Sequence, residues 1–273
     1  MSITLGCHKW TFAHTTTLQA AQIIRALGFE RMDIGNAPDL DPVKGAENSR
    51  ETVAHLAKIK EQTGITFIDL FPQLPYPPNH PDPEMRKLSR AHLEKWFTIA
   101  EKVGLQGVTL TPGRYWPGHT PEEDFSRAAE ELRWAVQEGK KRGLLIRIEP
   151  HVESVTWTPQ LAVQMVQEVP GLTLTIDHSH FIFHALPYEQ IAIMHPYGTH
   201  WHARQAKPGN LCCPTNEGQI DFQKIVRDLQ ERGYEGTICL EFTPGLWMTS
   251  GYVDCVSETL ALSKQLYQYL GQS

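Results

Sequence analysis

Short β-branched and apolar runs alternate along this chain with longer stretches whose apolar positions recur at helical spacing. The short runs predict strands at Ile3–Phe12, Arg31–Gly35, Thr66–Pro72, Gly107–Pro112, Leu144–Glu149, Leu172–Asp177, Gly198–Ala203 and Thr237–Phe242. Most are too brief for helices and are flanked by Gly or polar residues. Between them, the spacing predicts helices over Thr17–Leu27, Arg50–Thr63, Pro83–Val103, Pro121–Arg142, Asp221–Arg232 and Val253–Leu270. Helix starts carry a capping side chain followed by proline, as at Thr120-Pro121, Thr158-Pro159 and Asp82-Pro83. Gly28, Gly64, Gly104, Gly143 and Gly233 stand where a left-handed residue turns the chain from helix back into strand.

Eight such strands alternating with helices in an uninterrupted chain of 273 residues predict one closed (β/α)₈ TIM barrel, a single domain over residues 1–273. A doubly wound open sheet would place a Gly-rich phosphate loop after the first strand, and His8-Lys9-Trp10-Thr11-Phe12 is nothing like one. The longest connection without a clear element runs from Phe71 to Pro83 and is rich in proline. It reads as a lid, a binding wall or a stiff excursion.

A formal charge of −6 argues against general affinity for nucleic acid or anionic lipid. No run approaches a membrane span, and Met1–Gly6 lacks the marks of a signal peptide. The five cysteines (Cys7, Cys212, Cys213, Cys239, Cys255) are odd in number and scattered, which fits reduced thiols in a cytoplasm rather than a disulfide framework. Cys212-Cys213 has no second pair with zinc-ligand spacing.

Four successive strands in the second half end on a metal-binding side chain: Glu149, Asp177, His202 and Glu241. Three carboxylates and an imidazole form a hard, mostly oxygen ligand set for one divalent cation. Alternation puts Glu149 on the inner side with Arg147, Asp177 with Thr175, His202 with His200, and Glu241 with Cys239, while Ile148, Ile176 and Leu240 face outward. Singly, each has a plainer explanation: Glu149 pairing with Arg147, or Asp177 capping the next helix. All four at the same place in the repeating unit favour a metal. His8, Trp10, Asp33, Trp116 and Trp157 stand near strand ends as candidates for hydroxyl contacts or sugar stacking, with His151 and Glu153 beyond Glu149. His55 and His92, on helices, read as surface residues.

The motifs Ile148-Glu149-Pro150, Ile176-Asp177-His178-Ser179-His180, His200-Trp201-His202, Glu217–Phe222 (EGQIDF), Gly233-Tyr234-Glu235-Gly236 and Leu240-Glu241-Phe242 resemble the xylose isomerase-like barrel superfamily, in particular its sugar isomerase/epimerase branch. The resemblance covers essentially the whole chain and is strongest from Gly143 onward. It implies that Glu149, Asp177, His202 and Glu241 hold one divalent metal, Mn²⁺ first, with Mg²⁺, Co²⁺ or Zn²⁺ as alternatives. It also implies that Glu149 and Glu241 act as an acid/base pair and that His180 touches substrate oxygens or a second metal. Relatives often continue the seventh strand as His-Leu-Lys-Asp; here it is His202-Ala203-Arg204-Gln205, so the acid is missing. Arg204, or Lys207, then becomes the candidate cation for a substrate hydroxyl, carboxylate or phosphate.

A metal chelated by a carbonyl and a neighbouring hydroxyl acidifies the adjacent C–H, so a carboxylate can form a stabilised enediolate. The expectation is therefore a metal-dependent isomerase or epimerase of a small sugar, cyclitol or keto acid. A lyase of the same family, such as a keto-inositol dehydratase or an enzyme eliminating from a 3-keto sugar, is the alternative. An abasic-site endonuclease would need histidines after earlier strands, where Asp69-Leu70-Phe71 and Thr109-Leu110-Thr111 stand. A non-catalytic binding barrel would be expected to have lost a ligand. Relatives are often dimers or tetramers, so a homo-oligomer is the matching expectation.

Overall fold

The computed structural model describes residues 3–244 and 253–272. Eight parallel strands close in chain order, β1 next to β8, into a barrel. They are β1 (Thr4–His8), β2 (Arg31–Gly35), β3 (Thr66–Phe71), β4 (Gly107–Leu110), β5 (Leu145–Ile148), β6 (Thr173–Asp177), β7 (Gly198–Ala203) and β8 (Thr237–Leu240). The helices are α1 (Thr17–Ala26), α2 (Pro42–Glu47), α3 (Ser49–Thr63), α4 (Pro83–Val103), α5 (Pro121–Lys141), α6 (Pro159–Glu168), α7 (Ser179–Ile182), α8 (Tyr188–Ile191), α9 (Phe222–Glu231) and α10 (Cys255–Tyr269). None among the described residues is long and apolar enough to cross a membrane.

The expected caps are present. Thr120 accepts from the Glu123 amide while Glu123 reaches back to the Thr120 amide, and Asp82 and Thr158 accept from the first turns of α4 and α6. The predicted first strand was too long: β1 stops at His8, whose side chain caps a 3-10 turn over Lys9–Phe12. Three short helices, α2, α7 and α8, are too brief to show a hydrophobic period. His92 is also corrected: it is buried, against Tyr76 and beneath the proline-rich connection.

Two kinds of core follow from the strand alternation. Outward residues such as Ile34, Leu70, Val108, Ile148, Ile176, Trp201 and Leu240 join the apolar layer beneath the helices. The inward residues are unusually polar. Arg147 Nη1 donates to Asp69 Oδ1 at 2.7 Å, and its Nε donates to Thr199 at 2.9 Å. Thr109 bonds both Asp69 and Thr175. Both ends of the Arg147–Asp69 pair are essentially inaccessible, so each charge depends on the other. This pairing also leaves Glu149 without the Arg147 partner that the sequence alone would offer it.

Gly107 on β4 makes room for that guanidinium, because a Cβ at this position would run into Arg147 Nη1 and Leu145 O. Gly107→Ala should therefore split the buried pair and cost about 3 kcal/mol or more. Urea denaturation measures this; a midpoint equal to wild type would show that the pair does not anchor the barrel interior.

Candidate functional site

The carboxyl ends of β5 to β8 bring the expected side chains together. His202 Nδ1 bonds Glu149 Oε1 at 2.6 Å and stands 3.1 Å from Glu241 Oε2. Glu149, His202 and Glu241 offer ligand atoms that all lie within 4.8 Å of one another, as do Glu149, Asp177 and His180. Glu149 belongs to both groups, so the four strand-end residues form one connected cluster, all buried. Asp177 serves twice: Oδ1 caps the Ser179 amide at 2.8 Å, while Oδ2 faces Arg204 Nη2 at 2.9 Å.

A divalent cation fits these donors. Asp177 Oδ2 and Glu241 Oε2 are buried without a hydrogen bond, answering only to the charges of Arg204 and His202. Such oxygens are costly to bury and are the atoms a hard cation would take. The 2.6 Å bond between His202 Nδ1 and Glu149 holds a proton where a cation would otherwise bind. Electrostatics agree. Burial, opposed by His202, pushes the Glu149 carboxyl up to about 7. Glu241 is equally buried, but His202 and Arg204 outweigh that and hold it at about 2. His202 is desolvated too, yet Glu241 and Glu149 raise it well above its ordinary value.

Above the cluster opens a cavity of about 360 Å³ lined by Trp10, Phe71, Gln73, Thr111, Glu149, His151, His180, Arg204, Glu241, Thr243 and Pro244. Trp10 and Phe71 form its apolar wall, with ring centroids 5.1 Å apart. Arg204 reaches the site, but all three of its nitrogens are engaged. Nε donates to Ser179 (3.0 Å), Nη1 to Thr243 (3.1 Å), and Nη2 contacts His180 (3.1 Å) as well as Asp177. Lys207 does not reach it and pairs with Glu217 at 2.6 Å. Gln205, standing where relatives often carry an acid, ties down both backbone groups of Ile220.

Five residues named as candidates for substrate contact are placed elsewhere. Trp116 lies outside the cavity lining: its Nε1 donates to Asn79 Oδ1 at 3.2 Å and Arg114 stacks on its ring. His8 is fully buried behind the lining, where Nδ1 accepts from the Trp10 amide at 3.0 Å. Asp33 is likewise buried below the cavity. Trp157 packs edge-on against His184, and Glu153 occupies an exposed turn with φ of 64°.

The proline-rich connection is a pinned wall. Buried Asn79 bonds the backbone of Arg114 in both directions and donates to Asp124 O, fastening it to the segment after β4. Phe71, Thr111 and Thr243 were missed as lining residues. Each lies two positions beyond an inward residue (Asp69, Thr109, Glu241), so strand alternation carried the signal.

A family model described as xylose isomerase-like TIM barrel matches residues 21–252. No curated protein sequence gives a significant match. Among solved structures, a D-psicose 3-epimerase in the presence of D-fructose superposes with a TM-score of 0.78 at 16% identity, over 98% of this chain and 100% of that one. A 3-keto-D-glucoside 4-epimerase from E. coli gives 0.76 at 15%, over 97% and 99%. A xylose isomerase-like TIM barrel protein from Mycobacterium smegmatis, in complex with magnesium, gives 0.71 at 17%, over 98% and 97%.

The raised values have a consequence for stability. A carboxyl raised by folding stabilises the protein below its ordinary value of 4.5 and loses that contribution as pH climbs through about 7. His202, also raised, stabilises below its ordinary 6.5 and loses that as pH climbs toward its folded value. Above pH 6.5, where the depressed imidazoles of His8, His178 and His180 are neutral in folded and unfolded chain alike, the metal-free protein should thus lose melting temperature as pH rises. Added Mn²⁺ should restore it, by roughly 3 kcal/mol at a hundredfold excess over the dissociation constant. Thermal melts between pH 5 and 8, with EDTA or Mn²⁺, check this; curves that Mn²⁺ leaves unmoved at every pH would rule out the cation site.

Proposed function

The chain belongs to the xylose isomerase-like TIM barrel family, and on that premise we propose that it is a divalent-metal-dependent epimerase or isomerase of a free, unphosphorylated ketose or keto sugar. The observation that carries this is the buried cluster of Glu149, Asp177, His202 and Glu241 at the floor of a cavity with an apolar aromatic wall. Fold neighbours include proteins named as a D-psicose 3-epimerase and a 3-keto-D-glucoside 4-epimerase, which favours epimerisation over elimination.

Glu149, Asp177, His202 and Glu241 would hold the ion. When bound, it would polarise a carbonyl and acidify the neighbouring C–H. The chain's own groups do the rest. Glu149 and Glu241 come from β5 and β8, which are not adjacent, so they approach the cavity from different sides. One of the two, ionised, accepts the proton from the C–H, and the other, starting as the protonated acid, returns its proton to the opposite face of the same carbon. Return to the neighbouring carbon would instead interconvert aldose and ketose. His180 and His151 line the same cavity as hydrogen-bonding partners for substrate oxygens. Trp10 and Phe71 present a wall for the C–H face of a sugar and help keep water from the exposed carbanion.

Charge supports a neutral substrate. Arg204 is the one Lys or Arg among the described lining residues, and its nitrogens already serve Asp177, Ser179, Thr243 and His180. The stretch 245–252, following Pro244, contains no Lys, Arg or His. A phosphate would therefore enter beside carboxylates without a free cation to meet it.

Incubation in D₂O with Mn²⁺ and a panel of free ketoses should place deuterium at the carbon beside the carbonyl. EDTA, Glu149→Gln or Glu241→Gln should lower the rate by at least about a hundredfold. Exchange that survives EDTA, or exchange confined to sugar phosphates, would contradict the reading. An elimination product without exchange-linked epimer would assign the lyase instead.

A further inference from the structure

Beneath the proposed metal cluster lies a buried carboxylate that the proton-transfer scheme does not use. Asp33, on β2, is 1% exposed. Its Oδ2 accepts from His200 Nε2 at 2.6 Å and lies 3.5 Å from His202 Nε2, while its Oδ1 accepts from the Asp69 amide at 3.2 Å. We propose that Asp33 is a positioning residue that fixes the tautomer and orientation of His202, so that Nδ1 is presented to the cation; this rests on the metal reading above.

The backbone is arranged around that carboxylate. The β2–β3 register slips at this point: Met32 pairs with Phe67 and Ile34 with Leu70, so Asp33 faces two residues, Ile68 and Asp69. A bulge of this kind re-aims a side chain at the cost of an unpaired backbone group. Here the Asp69 amide finds its acceptor in Asp33 itself. The bulge and the carboxylate thus form one device. Asp33 is held from below by the backbone of β3 and offers its other oxygen to two imidazoles of β7.

The two nitrogens of His202 consequently face different partners. Nε2 looks down to Asp33, whereas Nδ1 looks across to Glu149 and Glu241. With the Nε2 proton directed at a carboxylate, the Nδ1 lone pair is the one left for a metal. A carboxylate behind a ligating imidazole fixes the ring and raises its basicity. Asp33, His200 and His202 also have the composition of a metal site in their own right. Positioning is favoured because both Asp33 oxygens are already hydrogen-bonded and none of the three lines the cavity. The upper cluster, by contrast, leaves Asp177 Oδ2 and Glu241 Oε2 without hydrogen bonds.

Asp33→Asn keeps the shape and retains an oxygen for the Asp69 amide, but it cannot accept from two imidazoles with its NH₂ group. Calorimetry should show Mn²⁺ binding weakened by about 10- to 100-fold, with a cooperative melt retained in the metal-free variant. Long-range ¹H–¹⁵N spectra of the Zn²⁺-loaded wild type should show His202 protonated at Nε2, a signature that a purely structural role would not set. Wild-type affinity in Asp33→Asn would overturn the proposal. So would Nδ1 protonation of His202 in the loaded wild type, which needs no variant to fold. A wild type that binds neither ion would overturn the metal reading and this role together; a wild type that binds while Asp33→Asn is unchanged overturns this role alone.

Discussion

Charge that is buried must be balanced, and this barrel buries a great deal of it. Glu149, Asp177 and Glu241 lie together with almost no solvent contact, faced by Arg204 and His202. A carboxylate taken out of water is tolerable only with a partner, a proton or a metal. The cluster shows the first two and has donors suited to the third: Arg204 partners Asp177, Glu149 is pushed toward keeping its proton, and Glu241 Oε2 is buried without a hydrogen bond. The rest of the barrel interior obeys the same rule. Asp69 is paired with Arg147, and Asp33 is hydrogen-bonded to His200.

The result is a barrel whose inner layers have separate tasks. The lower one, Asp69–Arg147–Thr109–Thr175, holds strands together with hydrogen bonds where many barrels use aliphatic side chains. The Asp33–His200 pair connects that layer to His202. The upper layer is where the proposed chemistry would take place, and the loops give the cavity its shape. Trp10, Phe71 and Gln73 build one wall, held in place because Asn79 fastens the proline-rich connection to the segment after β4. Preorganisation of this kind would let the proposed site keep charged groups aimed at a substrate without rearranging them during reaction.

Much of this was legible in the chain. Short β-branched and apolar runs located the strands, and period-two alternation gave the facing of Glu149, Asp177, His202 and Glu241, because one barrel face is shared by all strand ends. Helix starts and stops were legible because Thr120, Asp82 and Thr158 cap them by local chemistry. What escaped depends on distant residues. Nothing near Arg147 in sequence announces Asp69 as its partner, and nothing near Trp116 announces the buried Asn79 that draws its indole away from the cavity. His8 reads as a strand-end contact residue, but the early 3-10 turn gives its ring the Trp10 amide instead. The helices α7 and α8 are single turns, shorter than any period that could reveal them.

Everything proposed for the site turns on four strand-end residues sharing one ion. Diffraction from Mn²⁺-loaded crystals at the manganese absorption edge tests it most directly. A single anomalous peak is expected at the cavity floor, roughly 2.0–2.6 Å from an oxygen of Glu149, Asp177 and Glu241, with His202 Nδ1 completing the protein ligands. A peak elsewhere, a peak that omits two or more of the four, or no peak at saturating Mn²⁺ would contradict it.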